Sequence, residues 1–113
     1  MSRDEVYLRD ILEAARLALE YVHGKTREEF LADVQLQDAV IRRLAILGEA
    51  ARRVSDATRA AHPGLPWHEM IGMRNIVVHE YDDVDLVVVW SAVMQDLSPL
   101  IRALEKSPPP SET

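Results

Sequence analysis

The sequence has no cysteine in its 113 residues, which excludes disulfide bonds and thiolate chemistry. It also has no run of the roughly 18 consecutive apolar residues that a membrane-spanning helix needs. We therefore expect no integral membrane segment. The first residues, Met1 to Glu5, are polar almost at once and show no apolar signal region. Together with the absence of cysteine, this favours a cytoplasmic location.

Positive charge is also scarce, because 13 Lys and Arg stand against 19 Asp and Glu, for a formal net charge of −6. Binding of nucleic acid through a broad basic surface depends on many Lys and Arg side chains, so this mode is excluded and any RNA contact must be local. A cluster of arginines could form one basic patch, or it could be a solvated helix face with intrahelical ion pairs. Its members are Arg42, Arg43, Arg52, Arg53 and Arg59.

The chain is long enough for one hydrophobic core but not for two. Apolar residues recur at helical spacing and predict an all-α up-and-down bundle of four to five helices in one domain, residues 1–106, followed by a flexible Pro-rich tail, 107–113. The helices are expected at 4–22, around 30–31, at 34–54, in a short segment after Ser55, from 67, and at about 84–106. A strand at 86–90 is rejected because no second strand is available to pair with it.

Capping signals set the expected boundaries. Gly24 is placed as a left-handed C-terminal cap, and Thr26 with Glu29 has the form of a capping box. Asp82 and Asp83 are expected to cap the last helix at its N-terminus. Pro99 would kink that helix or restart it.

The last helix has more apolar residues than one core uses, since Val84, Val87 and Val88 lie away from its main apolar stripe. Such a surplus indicates a surface for self-association, unless the short helices cover it. We therefore expect a homodimer.

The helix that starts at Trp67 has a broad apolar arc and a narrow polar strip. The strip holds His68, Gly72, Asn75 and His79 at helical spacing. Arg74 points into the middle of the apolar arc, where a charge is costly unless it is paired or opens onto a site. It could extend its head to solvent, pair with Glu49 or an aspartate, or serve a functional site.

Arg74 and His79 are five positions apart, about 140° around a helix axis, so one ideal helix does not bring their side chains together. His68 and His79 are separated by roughly 16 Å of helix rise and cannot bind one metal ion within a chain. No HExxH sequence, phosphate-binding glycine loop or Ser/His/Asp order is present. The sequence therefore predicts no metal and no cofactor.

The segment from Arg74 to Tyr81, RNIVVHEY, matches the R-x4-H-x-Y pattern and resembles the HepT-like proteins of the HEPN superfamily. The resemblance extends over most of the chain. It includes the Gly48-Glu49-Ala50 segment, the tryptophan-led motif helix and the hydrophobic last helix.

The resemblance implies a HEPN-type bundle and a metal-independent endoribonuclease, the toxin of a HepT/MntA (type VII) toxin–antitoxin pair. Its site would be composite, with Arg74, Asn75 and His79 from two copies of the chain facing each other across a homodimer, and with Glu49 and His68 as supporting residues. The substrate would be RNA, with tRNA as a candidate.

The resemblance further implies an antitoxin, an MntA-type nucleotidyltransferase that transfers AMP to the motif tyrosine, Tyr81. Without it, a tyrosine at this position would be read as a packing residue. Two other functions stay open. One is a non-catalytic HEPN module that binds a nucleotidyltransferase or RNA, and the other is a plain structural helical dimer.

Overall fold

The computed structural model describes residues 2–78 and 85–106, and for residues 76–78 the backbone alone. Six helices and no strand occur in these ranges, which confirms the all-α class. Four longer helices form the bundle and two helices of six residues connect them. They are α1 (Arg3–Val22), α2 (Arg27–Ala32), α3 (Val34–Arg53), α4 (Asp56–Ala61), α5 (Trp67–Val78) and α6 (Leu86–Lys106).

The early helix boundaries follow the capping signals of the sequence. Gly24 adopts a φ of 75° just after α1, a conformation that costs glycine little. The capping box at α2 is complete, because Thr26 Oγ1 accepts from the Glu29 amide at 3.1 Å and Glu29 Oε1 accepts from the Thr26 amide at 3.0 Å. Asp33 then ends α2 and caps α3 through the amide of Leu36.

The start of α6 differs from the prediction. The helix begins at Leu86, and its cap is Asp85, whose Oδ1 accepts from the amides of Val87 at 3.0 Å and Val88 at 3.3 Å. Assignment of the cap to Asp82 or Asp83 was therefore wrong, because the carboxylate directly before the first turn takes these amides. Asp82, Asp83 and Val84 themselves lie outside the described residues, as does the predicted tail, 107–113.

Helix α6 continues through Pro99 without a restart. Proline removes the N–H that would bond to the carbonyl of Gln95. Both residues are exposed, so water can take the place of the missing donor. The predicted restart was wrong for this reason, and a kink at Pro99 stays a prediction.

The core lies where α1 packs against α3, α3 against α5, and α6 against α1. The apolar stripes predicted for the long helices supply most of it, with Leu8, Val89 and Leu100 in addition. Phe30 closes one end, and its ring lies 5.3 Å from that of Trp90. The largest fully buried side chains are Phe30, Ile11, Leu44, Leu47, Met70, Leu97, Leu100, Val40, Val89 and Val93.

Two polar contacts fix the end of the bundle near the C-terminus of α3. The Asp4 carboxylate accepts from the amide and hydroxyl of Ser55 and from the hydroxyl of Thr58, and these bonds lower the pKa of Asp4. Arg59 donates to three carbonyl groups at the end of α3 and lies 6.0 Å from the Trp67 ring centre. The role of Arg59 is thus to cap a helix, and it does not add to a basic patch.

Part of α6 stays uncovered. Val87 is 40% exposed, Val88 43% and Met94 49%. By length and composition alone α6 could cross a membrane, with a mean hydropathy of 1.3, a test that core helices of globular proteins also pass. Its other face is built into the core through residues such as Val93 and Leu97.

Helices α3 and α5 cross at Gly48. A Cβ atom placed on Gly48 would lie 2.5 Å from both the Cβ and the backbone nitrogen of Arg74, and 2.8 Å from its Cα. Such distances are shorter than carbon and nitrogen atoms tolerate, and backbone atoms cannot move aside cheaply. Glycine at position 48 is therefore a condition for this crossing.

We expect Gly48→Ala to lower the free energy of unfolding by about 1–3 kcal/mol, the range for overpacking a close contact. Gly72→Ala is the matched control, because the space around a Cβ there is empty within 4 Å. In the control, alanine should be neutral or stabilise α5 by up to about 1 kcal/mol. Urea unfolding measures both, and equal stability of the two variants would contradict the proposed contact.

Candidate active site

A cleft of about 420 Å³ opens between α1, α3 and α5. Helix α1 contributes Tyr7 and Asp10, α3 contributes Arg42, Glu49 and Arg53, and α5 contributes Arg74. Ala45, Ile46 and Ala50 form its apolar floor. We call this the Arg74 cleft. The three lining residues of α3 that carry charge lie at positions 42, 49 and 53, so one face of that helix presents them together.

Arg74 is paired with Glu49. Its Nε lies 2.8 Å from Glu49 Oε2, and about a third of each side chain is exposed, 34% and 32%. This is one of the explanations that the sequence left open for a charged residue on an apolar arc. The close crossing brings the backbone of Arg74 against Gly48 on α3. Glu49, the partner in the ion pair, is the next residue of that helix.

Within the described residues, the ion pair with Glu49 engages the Nε of the Arg74 guanidinium. Glu49 is reached by Nε, and the terminal nitrogens of Arg74 donate to no other side chain among the described residues. Two parallel N–H groups in a plane match the oxygens of a phosphate. The ion pair therefore orients Arg74 in the lining of the cleft, and no other described side chain bonds its terminal nitrogens.

Glu49 also holds two arginines of its own helix. Its Oε1 accepts from Arg52 at 2.9 Å and from Arg53 at 3.0 Å. These two hydrogen bonds, and next the charges of Arg52 and Arg74, lower the pKa of Glu49 to about 2 against the partial desolvation that raises it. Glu49 is thus ionised at neutral pH and neutralises only part of the positive charge around it.

The arginine cluster predicted from the sequence divides into different roles. Arg52 and Arg53 form ion pairs with Glu49 of the same helix. For these two arginines the second alternative therefore holds, a helix face with intrahelical ion pairs. Arg43 lines a smaller depression of about 120 Å³ together with Asp10 and Glu13, and its buried Nε has no hydrogen-bond partner in the described structure. Arg42 lines the Arg74 cleft and makes no ion pair with another described residue.

The remaining candidate residues are placed only in part. Asn75 follows Arg74 on α5 and is exposed. His79, Glu80 and Tyr81 lie outside the described residues. His68 is exposed in the first turn of α5 and does not line the Arg74 cleft, so the structure does not bring it to Arg74 or Glu49. Gly72, on the predicted polar strip, has open space around it, whereas Gly48 is in close contact with Arg74.

Four polar or charged residues of the cleft were not singled out from the sequence as site residues: Tyr7, Asp10, Arg42 and Arg53. Arg42 and Arg53 were noted only as members of the arginine cluster. The available signal was the spacing of Arg42, Glu49 and Arg53 on α3. Only the packing of α1 and α5 on that face shows which side chains share the cleft. In the described residues, no three His, Asp or Glu side chains are grouped to bind a metal ion.

Comparison with known proteins gives a consistent result. The family model described as "Ribonuclease HepT-like" matches residues 11–107. A protein of Thermococcus cleftensis, named probable ribonuclease HepT, is 41% identical over 100 residues, which cover 88% of this chain and 91% of the relative.

A protein of Methanocaldococcus jannaschii, provisionally named RNase MJ1380, is 36% identical over 107 residues, or 93% of this chain and 98% of the relative. No solved structure matches the chain significantly.

The pKa of Glu49 gives a pH test of the ion-pair cluster. Folding lowers this pKa from 4.5 to about 2, so ionised Glu49 adds stability that is fully present above 4.5 and is lost as the pH falls through about 2. The difference in unfolding free energy between wild type and Glu49→Gln should shrink as the pH falls across this window. Denaturant unfolding at several pH values measures it, and a constant difference would contradict an ionic role.

Proposed function

The chain belongs to the ribonuclease HepT-like family, and on that premise we propose that it is a metal-independent endoribonuclease acting through Arg74, Asn75 and His79. The observation that carries this proposal is Arg74 in the lining of the cleft, held through Nε by Glu49, with no other described side chain bonded to its terminal nitrogens. That arrangement suits a phosphodiester, which is the group an RNase must bind. Metal independence rests on the family resemblance of the motif.

The chemistry needs few groups. The ribose 2′-oxygen attacks the adjacent phosphorus as its proton passes to a base, and the 5′-oxygen leaves as it receives a proton from an acid. Histidine titrates near pH 6.5 when unperturbed and can serve in either role, which we assign to His79. Arg74 would stabilise the charge that develops on the phosphoryl oxygens, and Asn75 would orient the scissile group.

We further propose that two copies of the chain complete the site. Arg74 and Asn75 are neighbours on α5, yet Arg74 is directed to Glu49 on α3 while Asn75 is exposed. Because Arg74 and His79 are about 140° apart around one helix axis, the His79 that acts beside Arg74 would come from a second copy of the chain. The uncovered apolar side chains of α6, Val87, Val88 and Met94, support a dimer surface.

The regulatory part of the proposal concerns Tyr81. In the toxin–antitoxin reading, an MntA-type nucleotidyltransferase moves the adenylyl group of ATP to the Tyr81 hydroxyl, and pyrophosphate leaves. The adduct would add a bulky anion two residues from His79 and repel a phosphate substrate. The protein would act in the cytoplasm as the toxin of this pair, with RNA, including tRNA, as substrate.

A second candidate is a non-catalytic HEPN module that binds a nucleotidyltransferase or RNA. One observation favours it, namely that the ion pair with Glu49 gives Arg74 a structural role without any chemistry. The cleavage experiment below separates the two.

We expect the purified protein to cleave RNA in excess chelator. His79→Ala should reduce kcat by about 10²–10⁴-fold, the usual contribution of general acid–base catalysis. Arg74→Ala should lose a comparable factor through transition-state charge stabilisation. Gel analysis of tRNA and mixed RNA measures this. Cleavage that persists in both variants, or that depends on added metal, would sink the assignment.

A matched pair of valine variants tests the dimer within the same experiment. Val88→Glu places a charge on the uncovered face of α6 and should give monomers that no longer cleave, although every motif residue is intact. Val34→Glu changes a valine that is 67% exposed at the start of α3 and should stay dimeric and active. Light scattering measures mass, and an active Val88→Glu monomer would refute the composite site.

For Tyr81, mass spectrometry after co-expression with an MntA-type nucleotidyltransferase should show AMP on the peptide that contains this residue. Tyr81→Phe should stay unmodified because it lacks the accepting hydroxyl, whereas Tyr21→Phe, the control on α1, should be modified like wild type. AMP on another residue, or an adduct that leaves cleavage unchanged, would contradict the regulatory proposal.

A further inference from the structure

The Arg74 cleft is a local region of positive charge in an acidic protein. Three arginines and two carboxylates line it, a formal balance of +1 where the whole chain carries −6. Glu49 is already shared by Arg53 and Arg74 within the cleft and by Arg52 beside it. One carboxylate therefore neutralises only part of this cationic group, and an anion can still bind there.

Arg42 extends the positive charge along the cleft. It precedes Glu49 by seven residues on α3, so it lies two turns away, about 10 Å along the helix axis. Each strand of double-stranded DNA has one phosphate per about 3.4 Å of axis, and phosphates of an extended single strand lie farther apart, so the interval spans at least one further phosphate. Arg42 and the Arg53–Arg74 end are thus spaced to contact two different phosphates of one strand.

The walls between these charges suit nucleosides. Ala45 and Ile46 form an apolar floor, and Tyr7 presents a half-buried ring at the side. Bases stack on aromatic and apolar surfaces with little dependence on their identity. Asp10 stands at the same wall and repels any phosphate that enters, so it should weaken binding.

We propose that the Arg74 cleft is a subsite for single-stranded RNA, in which Arg42 binds a second phosphate of the strand whose scissile phosphate lies at Arg74. The proposal rests on the proposed ribonuclease function, because that function identifies the anion as RNA and places the scissile phosphate at Arg74. It assigns Arg42 to substrate binding, and Asp10 to limiting the affinity. An acidic peptide carries similar charge but lacks bases to stack on Tyr7, and it is the alternative that the test includes.

The test measures binding without cleavage. Full-length protein is titrated against a fluorescent single-stranded RNA with 2′-O-methyl groups, which cannot be cut by its own 2′-oxygen, and anisotropy is followed at several salt concentrations. Arg42→Gln should weaken binding about fivefold to tenfold and reduce the slope of log K against log salt by about 0.7, the value for one phosphate contact. Asp10→Asn should tighten binding.

Two control variants define the result. Arg27→Gln removes the same charge from α2, outside the cleft, and should bind like wild type. Arg42→Lys keeps the charge and should retain the salt slope while it loses the bidentate contact. Equal affinities for Arg42→Gln and Arg27→Gln would overturn the proposal, as would Arg42-dependent binding of a polyglutamate peptide with no such binding of RNA.

Failure of this inference is distinguishable from failure of the ribonuclease proposal. Arg42-dependent RNA binding without any cleavage of unmodified RNA would support the subsite and refute the nuclease. Cleavage that is lost in His79→Ala, but that has the same KM in Arg42→Gln as in Arg27→Gln, would support the nuclease and overturn the subsite.

Discussion

The backbone contact between Gly48 and Arg74 is the constraint on which the rest of this structure depends. Because position 48 has no side chain, α3 and α5 approach closely enough for Glu49 to reach the Arg74 guanidinium at 2.8 Å. A larger residue would separate the helices and move the arginine away from its partner. One glycine thus sets both the packing of the bundle and the orientation of its central cation.

Electrostatics at this crossing act over a short range. The whole chain is acidic, yet the cleft is lined by three arginines and two carboxylates, and the pKa of Glu49 falls to about 2 because arginines donate to it. A charged network of this kind is costly to bury but inexpensive when a third of each side chain meets water. The partial exposure therefore lets one site be both an ion-pair cluster and an anion-binding surface.

The fold was largely predictable from the sequence because helical periodicity and caps act locally. The capping box at Thr26, the left-handed Gly24 and the apolar stripes of α1 and α3 each depend on residues within a turn or two. The errors came at α6, where the N-cap is Asp85 and not Asp82 or Asp83, and where the exposed Pro99 does not restart the helix. Local rules do not rank equivalent caps or report exposure.

The sequence by itself determined that the chain is helical, that Arg74 is a charged residue on an apolar arc and that Arg74 is the first residue of an R-x4-H-x-Y motif. It left the pairing of Arg74 open, and it gave Gly48 no structural role. Tertiary structure decided these points, since only the crossing of α3 and α5 shows that Glu49 pairs with Arg74 and that Arg42 shares their cleft. The physical reason is that an ion pair between two helices depends on the position at which they cross and on the distance between their backbones there. The sequence pattern of each helix alone contains neither quantity.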